Sequence, residues 1–172
     1  MPNPLDPIWE AHIGARDGLR AVALSDTSDP TLFPPGNAFG GLASAALDSK
    51  IEDIRTELDD LTVLSLAARF EHLVKGHFGE QGPDLRTAHP GLLGITLEAQ
   101  FEAQVNRTPV DRLLQLFDPA LPTREIRQFR QIWEYRNWVA HGRDPARPPA
   151  RTVDPATSYN VLTGILSHMN LV

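Results

Sequence analysis

The chain contains fifteen prolines in 172 residues, yet none falls between Gly41 and His77, and glycine enters that stretch only at its ends. A proline-free run of this length is helical throughout, because nothing in it removes a backbone donor or forces a turn. Its first part, with Leu42, Ala45, Ala46, Ser49, Ile51 and Ile54, is moderately periodic. Its second part, LTVLSLAARFEHLVKGHF, is apolar around much of its circumference, which predicts a central, buried helix. Whether the run breaks near Leu58 to Asp60 stays open; the acidic knot of Glu57, Asp59 and Asp60 reads as a solvated turn. Gly79, Gly82 and Pro83 end the run.

Shorter helices follow from the same rules. GLLGITLEAQFEAQV (91–105) is helical in pattern, although Gly94 and Ile95 weaken its start, and residues 84–90 read as a loop. Thr108-Pro109 opens VDRLLQLF, and Asp118 to Pro122 breaks it. Thr123 suits the N-cap of a long helix, REIRQFRQIWEYRNWVAHG, that Gly142 and the prolines beyond it stop. Asp154-Pro155 marks the start of a last helix. Residues 1–37 are rich in Pro and Gly, with room for one weak helix between Ile8 and Leu24. The expectation is an all-α protein: an N-terminal arm, partly irregular, over 1–37, then an irregular bundle of about five or six helices over 38–172.

Composition narrows the chemistry. With no cysteine, disulfides, thiolate catalysis and Cys-type zinc sites are excluded. His72 and His77 are five apart and off one helix face, so no metal pair is expected there, and no phosphate-loop or dinucleotide fingerprint occurs. No stretch approaches a membrane span, and the first residues show neither a basic start nor an apolar run, so the expected location is cytoplasmic. Net charge is -6, which argues against a generic nucleic-acid coat. The charge is uneven, however. Between Leu121 and Arg151 seven arginines face Glu125, Glu134 and Asp144, so this stretch is net positive while the remainder is strongly negative. That asymmetry suits either a local anionic ligand or a helix face of solvated arginines.

Inside the basic stretch, Arg136 is out of place. At about 100° per residue it falls within the apolar stripe of Phe129, Ile132, Trp133, Val139 and Ala140, and Asn137, His141 and Glu134 line its flank. A half-buried arginine is costly unless an acceptor satisfies it. Three arrangements meet that need: an internal ion pair, with Asp59 or Asp60 as candidates, a stem that snorkels to a rim, or an anion site. His141 sits where a helix C-terminus favours a protonated imidazole, as a helix-capping residue or as a functional one. Tyr135 and Trp138, across the wheel, are better suited to packing than to base stacking.

Arg136-Asn137-Trp138-Val139-Ala140-His141, followed by Gly142 at the end of a long helix, resembles the signature of HEPN domains: Arg, a polar residue, a short spacer and His. The upstream helix LTVLSLAARFEHLVKGHF is similar to the early buried helix of such domains, and the resemblance covers residues 40–170. It implies metal-independent RNA cleavage without a cofactor, in a homodimer whose Arg/His motifs face each other, in a toxin or defence setting with a cognate antitoxin or regulatory protein. Arg136 would hold the scissile phosphate, His141 would act as general base or acid, and Asn137 would orient His141 or the phosphate. Arg143, Arg147 and Arg130 would contact the RNA backbone. The alternative within the same resemblance is a non-catalytic module that binds RNA, nucleotide or a partner protein.

Overall fold

A computed structural model describes residues 2–25, 29, 32–34, 36–117 and 121–172, residue 117 by its backbone alone. Among these residues every regular element is helical: α1 (Asp6–Ala23), α2 (Ser44–Gly79), α3 (Gly82–Ala88), α4 (Leu92–Arg107), α5 (Val110–Leu114) followed by a 3-10 turn (Gln115–Phe117), α6 (Thr123–Ala140) and α7 (Pro155–His168). Five of these helices are long and two are short, in an all-α bundle.

The proline-free run becomes one unbroken helix, α2, of 36 residues, about 54 Å at 1.5 Å per residue. It touches α1, α4, α5, α6 and α7 and so forms the spine of the molecule. Val63, Leu66, Ala67, Phe70, Val74 and Phe78 recur at helical spacing along one buried stripe. The helix is not apolar-buried all round: Leu61 and Ala68 stay exposed. Phe70 meets Phe129 of α6 with ring centroids 5.5 Å apart, and Leu162, Ile165 and Leu166 of α7 close the core.

The N-terminal segment holds the helix for which the sequence left room. Eighteen residues of it form α1, which lies along α2. Gly14 and Gly18 each cost about 1 kcal/mol in a helix interior, but the docking that α1 achieves offsets them. Leu5 is fully buried in the main core. Asn3 donates to Tyr159 Oη (3.1 Å) and Thr163 Oγ1 (2.8 Å), and Tyr159 donates to Asp6 (2.6 Å). Trp9 stacks on Tyr159 and on His12. The lead-in from Ser25 to Ala43 carries no helix among its described residues.

The acidic knot is not a solvated turn. It sits in mid-helix, where its carboxylates receive the neighbouring elements. Asp59 accepts two bonds of 2.9 Å from Arg16 of α1. Asp60, buried, accepts the Tyr135 hydroxyl proton and pairs with Arg143. Residues 82–88, in part expected as loop, form α3, and Gly94 is required by it: a Cβ at Gly94 would lie 1.9 Å from the His89 carbonyl oxygen. Thr123 is the first residue of α6 rather than its cap, and makes no capping bond; the cap position is Pro122. Asp154 does cap α7, accepting from the Thr157 amide at 2.8 Å and from its hydroxyl at 2.7 Å. The expected break after the 3-10 turn falls partly on 118–120, outside the described residues.

Candidate functional site

The C-terminal end of α6 is built by a left-handed stop. Gly142 has φ +84, and its amide donates to Val139 O, while the Arg143 amide reaches back to Trp138 O at 2.9 Å. This pairing satisfies the last carbonyls of the helix and reverses the chain. Arg143 also has positive φ (+57), which costs about 1 kcal/mol for a residue with a Cβ. Its guanidinium holds it there, 2.6 Å from Glu57 and 2.5 Å from Asp60 on α2.

The loop so anchored folds against the last turns of α6 and leaves a groove of about 330 Å3. From the helix, Glu134, Asn137, Trp138 and His141 line it; from the loop, Asp144, Arg147 and Pro149 do. Trp138 Nε1 donates to Asp144 O at 2.9 Å, the Arg147 amide donates to the same carbonyl at 3.1 Å, and Asp144 Oδ1 accepts the Ala146 amide. These bonds define the groove wall without using the Glu134 carboxylate or the His141 ring, neither of which has a hydrogen bond or ion pair among the described residues.

Arg136 lies behind this groove rather than in it. It is half-buried, with its guanidinium 4.9 Å from the centre of the Trp133 ring. Its Nη1 donates to Asn137 Oδ1 at 2.9 Å, and its Nη2 stands 4.0 Å from Glu71 Oε2. Its Nε is buried with no partner among the described residues. The internal acceptor is therefore Glu71, the residue next to the core phenylalanine Phe70, and not Asp59 or Asp60. At the limit of ion-pair distance, and with Glu71 also 2.8 Å from Lys75, that contact is worth no more than about 1 kcal/mol. The face-on indole adds a cation–π attraction of similar size, about 0.5–1 kcal/mol.

The sequence-derived candidates thus separate. Asn137, His141 and Arg147 share the groove. Arg136 joins them through the Asn137 side chain. Arg143 is committed to α2 and serves as an anchor, so its guanidinium is not free to follow an RNA backbone. Arg130 is exposed on α6, away from the groove lining. Tyr135 packs inward, where burial and the bond to Asp60 raise its phenol well above the ordinary value. Glu134 was legible as a groove residue, beside Asn137 and His141 at helical spacing; Trp138, read from the sequence as a packing residue across the wheel, also lines the groove. Asp144 and Pro149 were not legible, because their approach depends on the loop. Among the described residues no group of three or more His, Cys, Asp or Glu side chains is placed to hold a metal ion, and no helix is long and apolar enough to cross a membrane.

No family model matches this chain, and no curated protein or solved structure is similar to it.

Proposed function

We propose that the protein is a metal-independent endoribonuclease of HEPN type that works from the groove at the end of α6. One observation carries this reading: an exposed His141, without a partner among the described residues, shares an open groove with Arg147 and with Asn137, whose side-chain oxygen holds the Arg136 guanidinium. An imidazole titrates near neutral pH by nature and is suited to proton transfer. Here it stands beside guanidinium groups suited to phosphate.

In the reaction, the RNA 2'-hydroxyl loses its proton and its oxygen bonds to the adjacent phosphorus. The bond from phosphorus to the 5'-oxygen breaks, and that oxygen takes up a proton. The products are a 2',3'-cyclic phosphate and a free 5'-hydroxyl. His141 accepts the first proton or supplies the second. Arg136 exchanges the marginal Glu71 contact for the phosphate and its transition state, and Asn137 orients the pair. A homodimer bringing two such ends together would build a cleft for the strand. A toxin or defence effector in the cytoplasm, held in check by an antitoxin or regulatory protein, suits such an activity.

The test is cleavage of total cellular RNA in EDTA by the wild type, Arg136→Ala and His141→Ala, with folding verified by circular dichroism. Cleavage by wild type alone, leaving cyclic phosphate ends, is the expected result; equal cleavage by all three sinks the reading. A second reading, a module that binds RNA, nucleotide or a partner protein without cutting it, draws on the Arg136 guanidinium being already engaged by Glu71, Asn137 and Trp133. Binding by wild type with no cleavage by any variant selects it.

A further inference from the structure

The side chains of the groove are a poor match for phosphate alone. Two carboxylates, Glu134 and Asp144, line it against one guanidinium, Arg147. An anion placed among them meets more like charge than opposite charge. A cationic side chain fares no better, because Arg147 lies in the same wall. What the lining does match is a neutral, flat ligand with both donors and acceptors on its edge. The indole of Trp138 and the ring of Pro149 supply apolar walls, and Trp138 is locked by its bond to the Asp144 carbonyl. Acceptors come from Glu134, which has no partner among the described residues. Donors come from Arg147 and from the Asn137 amide nitrogen, whose companion oxygen is already taken by Arg136.

We infer that this groove is a nucleobase pocket and that its ligand is a guanine exposed in single-stranded RNA. Guanine is the base whose pairing edge presents two adjacent N–H donors, N1–H and the N2 amino group, to one carboxylate. Glu134 takes that edge in a two-point contact, and Arg147 and Asn137 face the acceptors O6 and N7. Unstacked bases are read in this way, by hydrogen bonds to the pairing edge and by stacking or packing on side-chain faces. Adenine and cytosine set a single amino group beside a ring acceptor on that edge, and the ring acceptor repels Glu134. The choice of RNA over a free nucleotide rests on the ribonuclease reading. On that reading, His141, one turn beyond Asn137, acts on the phosphate that follows the bound guanosine.

Base recognition is measured apart from cleavage. Guanosine, inosine (which lacks the N2 amino group), cytidine and inorganic phosphate are each titrated into the full-length protein, with binding followed by saturation-transfer NMR of the ligand and by tryptophan fluorescence. Glu134 is exposed and has no partner among the described residues, so Glu134→Gln is expected to keep the fold. Guanosine should bind best, with inosine and Glu134→Gln each weakening binding about tenfold, the size of one hydrogen bond lost from the two-point contact. Equal binding of guanosine and cytidine, or an unchanged affinity in Glu134→Gln, overturns the assignment, as does stronger binding of phosphate than of guanosine. In an RNA with a single guanosine, cleavage should map to its 3' side in wild type and lose that preference in Glu134→Gln. Guanosine selectivity without any cleavage overturns the ribonuclease reading and leaves the base pocket standing; cleavage without guanosine selectivity does the reverse.

Discussion

His12 and His141 stand at opposite extremes of the same fold. His12 is buried between α1 and α2, its Nδ1 3.1 Å from Thr62 Oγ1 and its Nε2 3.6 Å from Asp59, with Trp9 stacked on its ring. His141 is exposed at the end of α6 with no partner among the described residues. Each has an arginine and an acidic or amide side chain nearby. At α1 these groups satisfy one another: Arg16 grips Asp59 with two bonds, and Thr62 also donates to its own helix at Leu58 O. In the groove, Glu134 and His141 are left unspent. A cluster closed on itself holds two helices together, whereas one with spare donors and acceptors is available to a ligand.

The comparison breaks first under alanine. His141→Ala should reduce RNA cleavage by about 100-fold or more, the usual scale for a lost proton-transfer group, with the urea midpoint unchanged. His12→Ala should do the converse, lowering stability by about 1–3 kcal/mol through unpaired groups at the α1 contact while leaving the groove's ligand affinity intact. If His12→Ala abolishes cleavage in a folded protein, the separation of the two regions is wrong.

Asp60 sharpens it next, since it ties the anchor of the groove loop to the spine. Asp60→Ala strips the acceptor from Tyr135 and half the pairing from Arg143 and should cost about 2–3 kcal/mol in urea unfolding. With Asp60 gone, Arg143 loses much of the reason to keep its left-handed backbone, so groove binding should fall as well. Asp154→Ala, at the start of α7, should cost about 1 kcal/mol, the worth of one N-cap, and leave binding untouched.

The smallest effect is pH-dependent. Burial holds the His12 imidazole below its ordinary value, against Asp59, which raises it, and together with Arg16, which lowers it further. The unfolded chain therefore takes up a proton before the folded one does. The stabilisation is fully present above about pH 6.5 and is lost as pH falls toward the depressed folded value. Trp9 fluorescence, followed through urea unfolding at pH 7.5 and pH 5, should show a lower midpoint at pH 5, and His12→Gln should remove that part of the change.

Much of the helix map was legible because its causes are local. The absence of proline from 42 to 78, the Gly142 stop and the Asp154-Pro155 start act within a turn or two of themselves, and the structure has a helix or a helix end at each. The face shared by Glu134, Asn137 and His141 is equally local, a matter of 3.6 residues per turn. Long-range partners were not legible. Glu57, Asp59 and Asp60 look like a turn when nothing is known of Arg16, Tyr135 and Arg143. Gly94 looks like a weakness until the His89 carbonyl lies against it. Gly14 and Gly18 weaken α1 when read locally, because what offsets them, the bonds of Asn3 and Asp6 to Tyr159, spans some 150 positions of the chain.

Sequence by itself determined the class of the fold and the placement of an arginine, an amide and a histidine at one helix end, since propensity, capping and periodicity act between near neighbours. The tertiary structure decided which charges are spent and which are free. It gave Arg143 to α2, set Arg136 behind the groove on Trp133, Asn137 and Glu71, and left His141 and Glu134 open. Whether a polar group is satisfied depends on what the rest of the chain brings within about 3 Å of it, and spacing along one helix carries no record of that.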